Sequence, residues 1–328
     1  MQHRIPPLPL LSTLVVLTLL VFCVALAVGS VPLSLHAVMD AFRGSGDPLA
    51  HTLVTELRLP RAITAFSVGG LLALAGALMQ VLLRNPLADP YILGVSGGAS
   101  VGALGALLAG VSGLWISGNA FLGALVSMLI VFALAHGRGG WTPTRLLLTG
   151  IVVAFGWGAL ISFMLVLSDD ASLRGMLFWL MGDLSYRGSS WLPLAVLGIG
   201  VIVWLPFARH LNVLARGETL AEALGIAVRP FSIAIYISAS LFTAVAVTEA
   251  GAIGFVGLVI PHILRLVSGS DHRSLLPGVA LAGGSLLMLA DTLARTVIAP
   301  QQLPVGVVTA AIGVPLFLYL LNRARGPL

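Results

Sequence analysis

The stretch RNPLADPYILGVSGGAS, residues 84–100, decides how the rest of the chain is read. Gly94-Val95-Ser96-Gly97-Gly98 fits the G-x-S-x-G pattern of a hydrolase nucleophile elbow. The same stretch places Asn85-Pro86 and Asp89-Pro90 between two long apolar runs, near 61–83 and 91–111. A nucleophile elbow joins a strand to a helix at the top of a soluble sheet. Ser96 instead opens an apolar run long enough to enter a bilayer. The two X-Pro steps end one run in a sharp turn, and the glycines let the next start irregularly. Non-helical backbone at that depth is tolerated only where protein buries it or it lines a watery cavity. The stretch therefore reads as a hinge at the mouth of a pathway.

Composition supports a lipid setting. Of 328 residues, 58% are hydrophobic and 9% charged, against about 25% charged in a soluble domain. The mean hydropathy is +1.06. One soluble core could not hide that much apolar surface. The apolar stretches recur from end to end, so residues 1–328 form a single polytopic membrane domain.

All seventeen basic residues are arginine. Without lysine the chain can hold neither a Walker A loop nor a retinal or pyridoxal Schiff base. No ATP-binding or other cofactor site is expected; if ATP drives this protein, a partner hydrolyses it. The single cysteine, Cys23, permits no intrachain disulfide. The seven histidines have no metal-ligand spacing, so no metal is expected. The isoelectric point near 10.3 reflects arginines scattered between apolar runs, which indicates membrane topology and not nucleic-acid binding.

The pattern predicts an all-α protein of about ten spans, near 8–28, 61–83, 91–111, 120–136, 145–167, 191–207, 231–249, 253–267, 275–298 and 305–322. Those at 120–136, 191–207 and 253–267 are short, as tilted or broken helices are. The first run exceeds the 7–15 apolar residues of a signal peptide and reads as a retained span. An even count puts both termini on one face. Eleven arginines and four acids (Asp89, Glu218, Glu222, Asp271) then share that face, and six arginines and eight acids the other. The arginine bias places both termini in the cytoplasm.

Two connections carry helices. Ala171–Met181 reads as a short helix on the outer surface. "ARGETLAEALGIAVRP", 215–230, reads as a cytoplasmic helix–turn–helix with Gly225 at a C-cap. Glycine-rich "EAGAIGFVGLVIPH", 249–262, is a second irregular place in a span. Near the outer face, Arg58 and Arg61 lie three apart, near one helical face, and Asp291 and Arg295 lie four apart, within ion-pair reach. The ordinary explanation of the first two is snorkelling; the sharper one is a cationic surface for an acidic partner. Two rival functions stand. An intramembrane serine protease would pair Ser96 with His262. A proton-driven secondary transporter would need ionisable groups near the midplane, whereas Glu249, Asp291 and His262 sit toward span ends.

Six segments in order, "LRLPR" (57–61), "LAGALMQVLLRNPLADPYILGVSGGA" (74–99), "ETLAEALGI" (218–226), "GFVGLVIPHILR" (254–265), "DHRSLLP" (271–277) and "LPVGVVTAAIGVPLFLYLL" (303–321), resemble the FecCD-type permeases. These are the membrane subunits of type II ATP-binding-cassette importers for iron–siderophores, haem and cobalamin. The resemblance implies a ten-span, non-enzymatic permease in the bacterial inner membrane. It would pair with a second copy or a paralogue, two cytoplasmic ATPase subunits and a periplasmic binding protein. Ferric siderophore is the first expectation for the cargo, with cobalamin or haem as alternatives. Coupling helices are expected at about 208–230, with Gly217, Glu218, Ala221 and Gly225 matching their pattern. Arg58, Arg61 and Arg295 match positions that meet acidic groups of the binding protein. Asn85, Leu87 and Thr144 match positions near the inner constriction; Pro143, before Thr144, departs from the family pattern, where a small polar residue is expected.

Overall fold

The computed structural model describes residues 6–136, 142–185 and 191–323. Arg4, Arg138, Arg187 and Arg325, which enter the charge tally above, lie outside the described residues. The described chain is helical, with no strand among the described residues: α1 Pro7–Ala27, α2 Leu35–Arg43, α3 Pro48–Thr52, α4 Leu59–Leu82, α5 Val95–Leu108, α6 Leu114–Ala135, α7 Pro143–Leu167, α8 Asp170–Leu180, α9 Trp191–Trp204, α10 Ala208–Leu214, α11 Glu218–Ala223, α12 Val228–Ala250, α13 Val256–Ser268, α14 His272–Thr296 and α15 Val305–Arg323.

Helix α4 is the axis. It is apolar on every side and buried from Ser67 to Leu82 without a break, as a helix without a polar face must be. Helices α14, α12, α13 and α9 surround it. Glycine sets the closest crossings. A Cβ on Gly69 would overlap the Gly283 carbonyl, and one on Gly76 would overlap the Gly257 carbonyl. Small residues let membrane helices approach backbone to backbone. Helix α1 packs along α14, where the Thr18 and Ser285 hydroxyls meet at 2.8 Å. The first apolar run is therefore an integral part of the bundle.

A second group is formed by α5, α6 and α7. Gly98 and Gly123 cross so closely that a Cβ on either would overlap the other's carbonyl. Helix α12 lies between this group and α4.

The chain from Pro48 to Leu82 is helical for 35 residues, with a π stretch over Leu53–Arg58. Pro60 has no N–H and its ring crowds the carbonyl of Glu56, four residues back. The ladder adjusts, and the Leu59 N–H reaches Val54 O, five residues back.

Among the described residues, six helices are long and apolar enough to cross a bilayer, or seven if the pair α9–α10, bent by 71°, counts as one span. That test falls short of ten. Helices α5 and α13 are apolar but only 14 and 13 residues long, about 20 Å each, because α5 is entered through a 3₁₀ turn and α13 through non-helical backbone. The expectation of a short 120–136 span is corrected: α6 begins at Leu114 and runs for 22 residues. The break expected in 191–207 lies at Leu205–Phe207. Asp169 caps α8 by accepting from Ser172 N at 3.2 Å; the Ser172 hydroxyl first, and this bond second, hold its carboxyl below the usual carboxylate range.

Candidate functional site

Polar chemistry gathers at the two ends of α4 and at one place between them. At the end where α4 begins, Arg58, Arg61 and Arg295 border a cavity of about 500 Å³, together with Glu56, Ser185 and Gln302. The arginines reach different helices. Arg58 is 5% exposed and so does not snorkel. Its Nη1 donates to Leu26 O at 2.7 Å and Ala27 O at 2.9 Å, and its Nη2 to Val31 O. It caps the C-terminus of α1, where carbonyls lack helical partners and a cation is favoured. Arg61 donates Nη2 to Asp291 Oδ1 at 2.8 Å and Nη1 to Ser185 Oγ and Gln302 Oε1. Arg295 donates Nε to Asp291 Oδ2 at 3.0 Å, as the four-residue spacing predicts. Asp291, 1% exposed, thus holds two guanidiniums, and the cavity keeps a positive excess.

At the other end, α10 and α11 form a hairpin. Gly217 (φ +133°) precedes α11, Ala221 is fully buried, and Gly225 (φ +80°) follows it. Ile226 N donates to Ala221 O and Gly225 N to Glu222 O, both at 2.9 Å: the Schellman closure, with glycine in the left-handed position as expected. Glu218 pairs with Arg84 at 3.3 Å. Arg84 stands in the same closing position after α4, at φ +48°, with Asn85 N donating to Gln80 O and Arg84 N to Val81 O, both at 3.2 Å. Asn85 is exposed, and its Oδ1 accepts from Leu87 N at 2.9 Å. Thr144 is exposed in the first turn of α7, after Thr142, which caps that helix, and Pro143 in its first turn.

Between the ends, the two irregular stretches meet. Tyr91 Oη accepts from Ile253 N at 2.9 Å, and Gly257 packs against Leu72 O and Pro90. Residues 90–93, a 3₁₀ turn, therefore reach the level of the middle of α4. Asp89 caps that turn through Tyr91 N at 2.8 Å. Gln80 donates to Ala88 O and Leu258 O and accepts from Arg265. The stretch 84–100 is an ordered turn followed by the start of α5. Ser96 lies in the first turn of α5, while His262 lies on α13, with which α5 makes no extended packing, and sets its ring edge against Phe317.

Asn212, Arg84, Gln80 and Arg265 escaped the sequence reading, because each acts across helices far apart in the chain. Asp271 carries a local signal, an acid before an apolar run, and it caps α14 through Arg273 N at 3.0 Å. Its carboxyl is held below the usual carboxylate range, chiefly by the hydrogen bond from Asn212.

The family model described as the FecCD transport family matches residues 17–323. The chain belongs to the FecCD transport family. It is 46% identical over 281 residues to the cobalamin import system permease protein BtuC of Halobacterium salinarum, covering 83% of this chain and 74% of that one. It is 44% identical over 285 residues to the vitamin B12 import system permease protein BtuC of Escherichia coli O9:H4, covering 85% and 86%. A solved structure described as an inward-facing metal-chelate-type ABC transporter superposes with a TM-score of 0.84 at 30% identity, covering 97% of this chain and 99% of that chain.

Proposed function

We propose that this chain is the membrane permease subunit of an ATP-driven importer that carries a cobalamin-type metal chelate across the cytoplasmic membrane. The observation that carries the reading is the similarity, along more than four-fifths of the chain, to permeases named for cobalamin import. Residue patterns alone put ferric siderophore first; those relatives move cobalamin ahead of it, and haem remains an alternative.

In this reading the 208–230 hairpin, with Gly217, Glu218, Ala221 and Gly225, docks on a cytoplasmic ATPase. The arginine-lined cavity faces the periplasm and receives an acidic surface of a binding protein. Arg61 and Arg295 form its contact edge, and Arg58, whose donors serve backbone carbonyls, adds charge more than contact. Asn85, Leu87 and Thr144 line the inner mouth. A second copy or paralogue packs beside α7, which is almost unburied within this chain. Both termini are cytoplasmic. Two ATPase subunits bind and hydrolyse ATP, and their cycle shifts the bundle between states by differential affinity.

The test is uptake of cyanocobalamin into vesicles holding the permease, its ATPase and its binding protein, with a ferric siderophore in parallel. ATP-dependent cobalamin uptake is expected. Uptake of the siderophore alone would overturn the cargo, and uptake by the chain without an ATPase would overturn the importer.

One observation favours a proton-driven alternative: Glu249 on α12 is 7% exposed, and its Oε2 has no hydrogen-bond partner among the described residues. Ionisable groups inside membranes are functional by default. Glu249→Gln is expected to leave ATP-driven uptake intact; its loss, with dependence on a pH gradient, would support the alternative.

A further inference from the structure

Besides packing on α12 and α4, the hairpin is held to the bundle by polar side chains at two points, one on α14 and one at the end of α4. The first is Asn212 on α10. Its Nδ2 donates to Asp271 Oδ1 at 2.9 Å, and its Oδ1 accepts from His272 N at 2.9 Å and from His272 Nδ1 at 2.6 Å. The amide orientation follows from these partners, because the carboxylate can only accept and the His272 N–H can only donate. The same bonds require Nδ1 of His272 to carry the hydrogen. Both polar atoms of one side chain thus clasp the N-terminus of α14. His272 is 1% exposed and its Nε2 has no partner among the described residues, so Nδ1 alone holds the ring by a hydrogen bond. Ala208, Leu211 and Leu214 bury the rest of that face of α10.

The second point is Arg84, paired with Glu218 at 3.3 Å. A left-handed backbone at a residue other than glycine costs about 1–2 kcal/mol. Glycine closes α11 in the same geometry, yet α4 is closed by an arginine that reaches the hairpin. Observed strain of this kind points to a role for the side chain.

Helices α4 and α14 are themselves locked together at mid-length by Gly69 and Gly283 and at the far end by Arg61 and Asp291. From Asp271 to Asp291 is about 30 Å of helix. The group α5–α7 meets α4 only marginally and is reached through α12 and the 3₁₀ turn.

We propose that Asn212 is the positioning residue of coupling: its clasp on Asp271 and His272, with the Arg84–Glu218 pair, makes the hairpin, α4 and α14 one rigid lever whose far end carries the arginine cavity. This rests on the importer reading. A displaced hairpin then shifts α4 and α14 against α5–α7, and the arginine cavity moves with the nucleotide state. Coupling of this kind is reciprocal in binding free energy, so a partner seated on the arginines biases the ATPase through the same clasp.

The experiment uses the assembled permease–ATPase complex in phosphatidylethanolamine–phosphatidylglycerol vesicles, with the binding protein and cyanocobalamin. Asn212→Ala is expected to lower cobalamin moved per ATP at least about fivefold, with hydrolysis persisting and the yield of complex unchanged. Asn212→Asp alone sets two carboxylates against each other and is expected to fail likewise. Asn212→Asp with Asp271→Asn removes that repulsion and returns an amide–carboxylate pair; because Asp271 Oδ1 also accepts from Arg273 N at 3.0 Å, the exchange weakens the cap of α14 and is expected to restore the ratio in part. A second readout needs no cargo. In a Cys23→Ser background, Ser30→Cys at the rim of the cavity is labelled with a water-soluble maleimide. Its rate is expected to change with ATP, and Asn212→Ala is expected to abolish that change. A ratio and labelling response untouched by Asn212→Ala, or no rescue by the double exchange, overturns the inference alone. If no ATPase complex forms, the importer reading falls and takes the inference with it.

Discussion

Arg61 and Asp291 lie 230 positions apart in the chain and form a two-point ion pair, with Nη2 2.8 Å and Nε 3.0 Å from Oδ1. Arg295 approaches the other oxygen of the same carboxylate at 3.0 Å. One buried acid therefore joins the starting end of α4 to the last turns of α14.

Asp291→Asn removes the charge that both arginines share. Breaking a buried ion cluster from one side costs about 3–5 kcal/mol. Thermal unfolding in detergent should show a large fall in midpoint, whereas Arg43→Gln, which breaks the exposed 4.0 Å pair with Asp40, should shift it little.

Gly76 and Gly118 separate packing from propensity. A Cβ at Gly76 would overlap the Gly257 carbonyl, while one at Gly118 meets nothing within 4 Å. Gly76→Ala should destabilise by roughly 1–3 kcal/mol or more, since backbone must give way. Gly118→Ala should be neutral or slightly stabilising. Folded yield and unfolding midpoint of the two variants check this.

The pH response of the clasp follows from Asp271. Its folded pKa lies below the ordinary carboxylate value of about 3.9. Its contribution is therefore fully present above that value and is lost as pH falls through the folded pKa. The midpoint difference between wild type and Asp271→Asn should be flat from about pH 5 upward and shrink toward pH 3. A difference that grew on acidification would contradict the assignment.

Arg84→Gly relieves the left-handed strain and removes the partner of Glu218. The unfolding midpoint should hold or rise slightly, while cobalamin moved per ATP should fall. Parallel loss of both would mean that Arg84 acts through stability alone.

Ser96→Ala should leave uptake largely intact, because Ser96 lies in the first turn of α5, which makes no extended packing with the helix that carries His262. Complete loss of uptake would reopen the enzymatic reading.

Much of this was legible locally. Proline and glycine in 84–100 announce a break because they act through their own backbone. Gly225 ends α11 in the left-handed conformation expected of it, and the spacing of Asp291 and Arg295 gives their ion pair directly. Other positions are legible in part. Arg58 and Arg61 share the cavity that their spacing suggests, but Pro60 forces a π stretch over Leu53–Arg58, and the two side chains reach α1 and α14 separately. The irregular starts expected in 91–111 and 253–267 are a 3₁₀ turn at Pro90–Leu93 and non-helical backbone before Val256.

Hydropathy, the absence of lysine and the proline and glycine punctuation determined by themselves that this chain is built of apolar helices suited to lipid and has no lysine for a Walker A loop. Those properties depend on each residue's own solvation and backbone freedom. Tertiary structure alone decided which arginine meets which acid, that Asn212 holds α14, and that two broken stretches touch through Tyr91 and Ile253. Such contacts depend on helices crossing at glycines hundreds of positions apart, and no local pattern encodes that distance.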